Sequence, residues 1–369
     1  MVIGLFTELL SPGGIQRVGK HVGAVLAAFA RERGMSYRFL SLNDPLGVHS
    51  VRVGEDEFTA AGFDRAKLRF VAEAWRASST DPRMVVGAHP HLAPVAWQVK
   101  MQSGRARMLV LAHGIEVWAP LTPHRRWALR RADLVLAPSA DTARHLVDQQ
   151  GVPSDRICEV AWGLDPGFDT KLDDQRNHLP AGFPEGRVIL TVGRWAASER
   201  YKGVDHLISA VAHLLPAVPD LSLVAVGNGD DRGRLEQLAR ELAVADRVRF
   251  LAGMAQEELM ACYAACDVFA LPSRGEGFGV VFLEAMAHGK PVVGGNHGGI
   301  PEIVEDGVTG FLVSHGDVEQ LSRVLEKLIT DDRLRCEMGI RARERVRSAY
   351  LFEHFKARLS QVIADLCAS

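Results

Sequence analysis

The sequence predicts an α/β protein made of two Rossmann-like, doubly wound parallel-sheet domains. Three observations predict it. Short apolar runs alternate with helix-periodic stretches, the pattern of strands joined by crossover helices. Glycine-bearing turns follow several runs, as in Ser11-Pro12-Gly13-Gly14, Thr191-Val192-Gly193-Arg194 and Gly275-Glu276-Gly277-Phe278-Gly279. The chain has 369 residues, more than one ordinary core fills.

In the first half, Val2 to Phe6 reads as a strand, and Val18, Val22, Val25, Leu26 and Phe29 mark a helix from Ile15 to Arg33. The turn between them lacks G-x-G-x-x-G. Gly13 and Gly14 either let a phosphate or sugar approach the backbone or form a plain tight turn. Further strands are expected at Arg38–Leu42, Leu68–Val71, Met84–His89, Met108–Ala112, Asp133–Ser139 and Ile157–Ala161. His89-Pro90-His91 has a metal-like spacing, but no nearby acid completes a site, so a cleft-lining or structural role is favoured. His113 stands just past a strand's carboxyl end, where ligands bind in open α/β sheets. A hydrogen-bonded structural histidine is the competing reading. His124 to Arg131 is a basic segment with Trp127, expected to be helical. A solvated face is favoured; contact with anionic lipid or an acidic acceptor is the alternative. A helix from Asp141 to Gln149 follows, and Trp162 to Gly186 reads as an interdomain linker.

The second half repeats the pattern. Strands are expected at Val188–Val192, Leu221–Val226, Val248–Leu251, Val268–Leu271 and Pro291–Gly294. Helices are expected at Gly203–Leu215, Arg232–Leu242, Gln256–Cys266 and Val280–His288, and long helices from Asp317 onward. The stretch Leu271 to Glu284 is the most informative. Its alternate glycines allow close approach to the backbone. It opens a helix whose first N–H groups and dipole favour an anion. Glu276 on the turn and Glu284 in the helix could grip two ends of one ligand. Solvated acids on an ordinary turn are the competing reading. Arg194 and Lys202 flank a polar loop and suit a diphosphate. Gly227-Asn228-Gly229 follows another strand and could border a nucleotide.

Composition excludes several classes. A net charge of −2 argues against a general nucleic-acid binder. The five cysteines (Cys158, Cys262, Cys266, Cys336 and Cys367) are scattered and odd in number. That fits a reducing, cytoplasmic setting without a disulfide framework. No run is long enough to cross a bilayer, and Val2 to Phe6 is too short for a signal peptide.

Together the motifs resemble retaining GT-B glycosyltransferases of family 4, the glycosyl transferases group 1 type. Glu276 through Glu284 resembles the family's E-x7-E. Gly193-Arg194 and Lys202-Gly203 resemble its phosphate-binding pair. Asn296 to Glu302 and Gly307 to Val313 resemble its glycine-rich segment and the hairpin-like turn after it. Trp162-Gly163-Leu164-Asp165 departs from the Asn-Gly that many members carry there.

The resemblance implies two domains facing a cleft: an acceptor-side domain over 1–165, with the helix 350–369 packing back on it, and a donor domain over 166–349. Glu276 would hold sugar hydroxyls and Glu284 the ribose. Arg194 and Lys202 would bind the diphosphate. Backbone near Phe278, Gly279 and Val280 would face the donor, with Gly227 and Met254 bordering it. Gly13 and Gly14 would approach it from the first domain. His113 would sit beside the reacting sugar, so His113 and Glu276 are the catalytic candidates. No metal or other cofactor is expected. The implied activity is transfer of a hexose from GDP-mannose or a UDP-hexose to an oligosaccharide or lipid-linked acceptor for a bacterial surface glycan. The enzyme would work in the cytoplasm, at the inner membrane face where it touches the bilayer. A non-catalytic nucleotide-sugar sensor and a nucleotide-sugar epimerase of similar architecture are the rival readings.

Overall fold

The computed structural model describes residues 1–168 and 178–368. The chain forms two compact units, Met1–Pro166 with Leu351–Ser369, and Gly167–Tyr350. The expected linker from Trp162 to Gly186 falls partly on residues 169–177, outside the described residues. Its first residues are packed into the first unit: Trp162 is 3% exposed and Leu164 fully buried.

The first unit opens with β1 (Val2–Phe6), α1 (Gly14–Glu32), β2 (Tyr37–Ser41), β3 (Gly47–Val53), β4 (Asp56–Gly62) and α2 (Lys67–Ser78). It continues through β5 (Met84–Gly87), α3 (Ala93–Ser103), β6 (Arg107–Leu111), α4 (Pro123–Leu129), β7 (Leu134–Ala137), α5 (Ala140–Asp148) and β8 (Ile157–Glu159). Its eight strands lie in the order β3-β4-β2-β1-β5-β6-β7-β8. All pairs are parallel except β3 with β4. β1 and β5 are buried at every position, as a sheet covered on both faces requires.

One local expectation needs correction, and two elements had no expectation. Leu68 to Val71 lies in helix α2, not in a strand. Phe70, Ala74 and Ala77 are its buried positions, and that spacing is helical. The antiparallel hairpin β3–β4 went unread because its polar alternation is weak and one edge faces solvent. Helix α3 went unread because its buried side is short and alanine-rich.

The second unit contains β9 (Arg187–Val192), α6 (Val204–Leu214), β10 (Leu221–Val226), α7 (Arg232–Glu241), β11 (Val248–Leu251), α8 (Gln256–Ala265), β12 (Val268–Leu271) and α9 (Val280–Ala287). β13 (Val292–Gly295), α10 (Ile300–Ile303), β14 (Gly310–Val313), α11 (Val318–Thr330) and α12 (Asp332–Ala349) complete it. Its strand order is β11-β10-β9-β12-β13-β14, all parallel. α6, α7 and α11 pack on one face, and α8, α9 and α12 on the other. The turn at Gly307, whose N–H bonds the Gly310 carbonyl, leads into β14. The last helix, α13 (Phe352–Ala368), belongs to the first unit and packs against α1.

Candidate active site

Strand order locates the ligand-binding edge of each sheet. In the second unit the order reverses between β9 and β12, where two adjacent strands send their connections to opposite faces. Open α/β sheets bind ligands beyond the carboxyl ends at such a point. The loop after β9 carries Arg194 and Lys202; the turn after β12 carries Glu276.

These residues meet. The Glu199 carboxylate lies between the two cations, 3.0 Å from Lys202 Nζ on one side and paired with the Arg194 guanidinium on the other. The Lys202 and Glu199 side chains are each 12% exposed, whereas Arg194 is 76% exposed. Glu276 lies next to the same cluster. Its Oε1 is sealed from solvent and has no hydrogen-bond partner. Burial pushes its carboxyl above the usual carboxylate range, Lys202 pulls it back, and Glu199 opposes that pull. A buried carboxylate oxygen without a donor is a group waiting for one.

The turn that presents Glu276 is held from three sides. Ser273 is fully buried, and its Oγ donates to the Gly275 carbonyl at 2.9 Å. Arg274 N–H donates to the Tyr201 carbonyl at 2.8 Å, tying the turn to the Lys202 loop. Gly299 N–H donates to the Glu276 carbonyl at 2.8 Å. Gly298 has φ 66°, and a Cβ there would come within 2.5 Å of that carbonyl oxygen, so the approach needs glycine. The glycine-rich segment after β13 therefore clamps the Glu276 backbone.

A second clamp holds the Lys202 loop. Asp231, 4% exposed, accepts from Arg200 Nε at 3.0 Å and from Arg234 Nη2 at 2.6 Å. Ala197 N–H donates to Asp230 Oδ1 at 2.7 Å, and Trp195 N–H to the Asn228 carbonyl at 2.9 Å. Gly227 belongs to this contact. Its φ is 146°, and a Cβ would lie 1.7 Å from the Gly193 carbonyl oxygen. The sequence singled out Gly227 for a nucleotide; the structure gives it this loop-packing duty.

The remaining donor-side candidates are placed as follows. Phe278 is 4% exposed, and Gly279 and Val280 are half-buried where α9 begins. Glu284 is 2% exposed and accepts a 2.8 Å bond from the Tyr263 hydroxyl on α8. Met254 is half-buried in the loop after β11, two strands from β9 at the sheet edge.

The first unit has its own switch point, between β1 and β5. Gly13 and Gly14 follow β1 and are exposed, with Gly13 at φ 147° just before α1. His89 follows β5, and His113 follows β6 beside it. His113 Nε2 lies 2.8 Å from the Ala88 carbonyl, so Nε2 carries the proton and Nδ1 is the acceptor of the neutral ring. The ring stacks on His89 at 5.8 Å and faces Trp162 at 5.9 Å. His89 is 7% exposed, and burial, reinforced by His113, lowers its pKa to about 2. The departing Trp162 to Asp165 stretch has structural duties. Trp162 packs on Phe355 of α13, and Asp165 bonds His21 at 2.8 Å and pairs with Arg17 at 3.3 Å. Among the described residues no cluster of three metal-ligating side chains occurs.

Sequence reading passed over Glu199 as a partner of the cations, Asp231 as an anchor of their loop through Arg200, and Tyr263 as the partner of Glu284. Only Glu199 left a trace, being three residues before Lys202 in a charged loop.

Two family descriptions match the chain: "Glycosyl transferases group 1" over residues 175–345 and "Glycosyltransferase Family 4" over residues 13–168. A GDP-mannose-dependent alpha-(1-6)-phosphatidylinositol monomannoside mannosyltransferase of Mycolicibacterium smegmatis is 34% identical over 276 residues, 71% of each chain. The chain belongs to the family 4 glycosyltransferases. A D-inositol 3-phosphate glycosyltransferase of Corynebacterium aurimucosum is 38% identical over 220 residues, 56% of this chain and 51% of that one. Sucrose-phosphate synthase of Thermosynechococcus elongatus has the same fold, with a TM-score of 0.80, 23% identity, and coverage of 100% of this chain and 99% of that one. This glycosyltransferase therefore has the GT-B fold, and nucleotide-sugar use comes with its family.

Proposed function

We propose that this glycosyltransferase moves a hexose from a nucleoside-diphosphate sugar to a hydroxyl acceptor, with retention at the anomeric carbon. GDP-mannose is the first-choice donor and a UDP-hexose the second; the mannosyltransferase relative supports that order. The observation that carries the reading is the meeting of Arg194, Lys202 and the unpartnered Glu276 oxygen at the β9/β12 switch point.

In this reading the diphosphate takes the place of Glu199 between the two cations. Their charge stabilises the departing nucleoside diphosphate as the anomeric C–O bond breaks. The departing phosphate oxygen accepts the acceptor's proton, and the new C–O bond forms on the same face. Glu276 accepts from sugar hydroxyls and fixes their position, a role separate from that of a covalent nucleophile. Glu284 receives the ribose. Backbone at Phe278, Gly279 and Val280 lines the donor, and Met254 shapes the base end; on the first unit, Gly13 and Gly14 leave the backbone open to a phosphate or sugar. His113 accepts a hydroxyl hydrogen bond at Nδ1. Two side-chain cations supply the charge, so no metal is invoked. The acceptor is lipid-linked or an oligosaccharide, used at the inner face of a membrane for a surface glycan. Among the described residues no helix is long and apolar enough to cross a membrane.

The test is a panel of nucleotide sugars, first by thermal shift and then by transfer to lipid and oligosaccharide acceptors. The product's anomeric configuration, read by NMR, decides retention; an inverted linkage refutes it. Incubation with donor alone addresses the rivals. A new sugar nucleotide means an epimerase, and binding without transfer or hydrolysis means a sensor.

A further inference from the structure

Three loops of the second unit meet at the Pro272 carbonyl. Pro272 is buried and directly follows β12, one residue beyond Leu271 and Gly294, the last pair that β12 makes with β13. A buried carbonyl needs a donor. His315, in the loop between β14 and α11, supplies one: its Nδ1 lies 2.9 Å from the Pro272 oxygen. A carbonyl only accepts, so Nδ1 carries the proton. The loop after β9 closes on the same oxygen. Gly203 has φ 72°, and a Cβ there would fall 2.9 Å from the Pro272 oxygen and 3.1 Å from His206 Nδ1, so this approach needs glycine.

The two imidazoles pack on each other. His206, on α6, meets the His315 ring edge-on, with centres 4.7 Å apart and planes at 62°. Its side chain is 26% exposed, and its Nδ1 is sealed from solvent with no hydrogen-bond partner among the described residues. Burial lowers its pKa; Asp205 opposes that shift, and His315 and Arg234 add to it. An uncharged His206 rests against His315 without repulsion. Neither histidine has a part in the chemistry above.

Lys202 stands between two ties. On one side of it, the Tyr201 carbonyl accepts from Arg274 N–H at 2.8 Å. On the other, Gly203 packs on the Pro272 carbonyl. Pro272 and Arg274 both lead into the turn that presents Glu276. Two contacts therefore set the spacing of Lys202 and Glu276, and His315 bonds the carbonyl on which the second one rests.

We propose that His315 is a positioning residue for sugar transfer, acting through the Pro272 carbonyl and steadied by His206. Its N–H bond fixes Pro272 against Gly203, and with it the distance from the Lys202 ammonium to the Glu276 carboxylate. The role rests on the donor reading above, in which Lys202 takes the diphosphate and Glu276 the sugar hydroxyls. A nucleoside diphosphate alone draws only on the cations. Transfer needs the cations and the carboxylate in register, so His315 acts on turnover more than on nucleotide affinity.

The experiment compares wild type with His315→Leu, His315→Asn and His206→Ala, by thermal shift with GDP and UDP and by turnover of GDP-mannose and UDP-glucose. His315→Leu keeps bulk beside His206 but has no donor. Its kcat should fall by about tenfold or more, the scale of a small misplacement of a positioned group, with the wild-type nucleotide shift retained. His315→Asn brings an amide N–H close to the Nδ1 position and should recover most of that kcat. His206→Ala leaves both partners of the bond in place and removes the ring that steadies His315. Its kcat should fall by about threefold. Combined with His315→Leu it should add nothing further, because the two act through one device. If His315→Leu does not fold, His206→Ala and His315→Asn carry the test. Wild-type kcat in His315→Leu, or in His206→Ala where that variant carries the test, would overturn the role. So would an Asn variant no better than the Leu one, or kcat and nucleotide shift lost together, which marks a merely structural contact. Failure of the donor reading is a separate result: wild type itself then shows no nucleotide shift or no turnover.

Discussion

Glu199 lies 3.0 Å from Lys202, and both side chains are 12% exposed. Arg194 and Lys202 therefore share one internal carboxylate. A charge this shielded is stable only while paired. Glu199→Gln should lower the melting temperature of the ligand-free enzyme, because Lys202 loses its partner. The same variant should show a larger stabilisation by GDP or UDP than wild type, since no internal anion competes. A smaller nucleotide-induced shift than in wild type counts against the competition. Lys202→Ala should abolish that shift.

Glu276 pairs stability against activity. Burial raises its carboxyl pKa, so the native state holds its proton more tightly than the unfolded chain does. Such a group adds stability below its unfolded pKa, and that stability is lost as pH rises through the folded value. Glu276→Gln removes the ionising group, so it should raise the melting temperature at pH 8 more than at pH 5. Turnover should fall by about a hundredfold or more, as expected when a positioned polar group is removed. Melting curves at both pH values and steady-state rates check the two arms. Unchanged transfer rates would end the assignment.

Asp231 acts at a distance from the ligand. It is 4% exposed and anchors Arg200, in the loop that ends at Lys202. Asp231→Asn should destabilise by about 2 kcal/mol, the range for hydrogen bonds to charged groups. It should raise the donor KM more than it lowers kcat, since the cations are displaced but not removed. A fall in kcat alone, with KM unmoved, would rule out the anchoring role.

His89 predicts acid sensitivity. Burial, with His113 next to it, lowers its pKa to about 2, whereas an unfolded histidine titrates near its ordinary value. The unfolded chain therefore binds the proton first. His89 leaves stability intact above about pH 6.5 and erodes it below, by about 1.4 kcal/mol per pH unit. His89→Gln lacks this loss. Its stability deficit relative to wild type should shrink between pH 7.5 and pH 5.5 in urea unfolding. A constant deficit would place the acid sensitivity elsewhere.

Apolar runs and glycine turns were enough to read the second sheet almost strand for strand. Parallel strands buried on both faces leave continuous apolar runs in the sequence. The same property hid parts of the first unit. The β3–β4 hairpin lies at an open edge, and helix α2 carries apolar residues on two sides, so Leu68 to Val71 looked strand-like. Arg194 and Glu276 stood out as candidates because each follows the carboxyl end of a strand; Lys202 and Glu284 lie further on, before and within the next helix.

The sequence by itself determined the fold class, the family and the identity of the charged groups, because those depend on local periodicity and on motif spacing. Only the tertiary structure decided what each group faces. Glu199 is set between Arg194 and Lys202 by the fold of one loop, whereas Gly298 meets the Glu276 carbonyl and Asp231 meets Arg200 because strand order brings separate loops to one sheet edge. A carboxylate's burial, and hence its affinity for a proton, depends on those neighbours, which spacing along the chain does not encode.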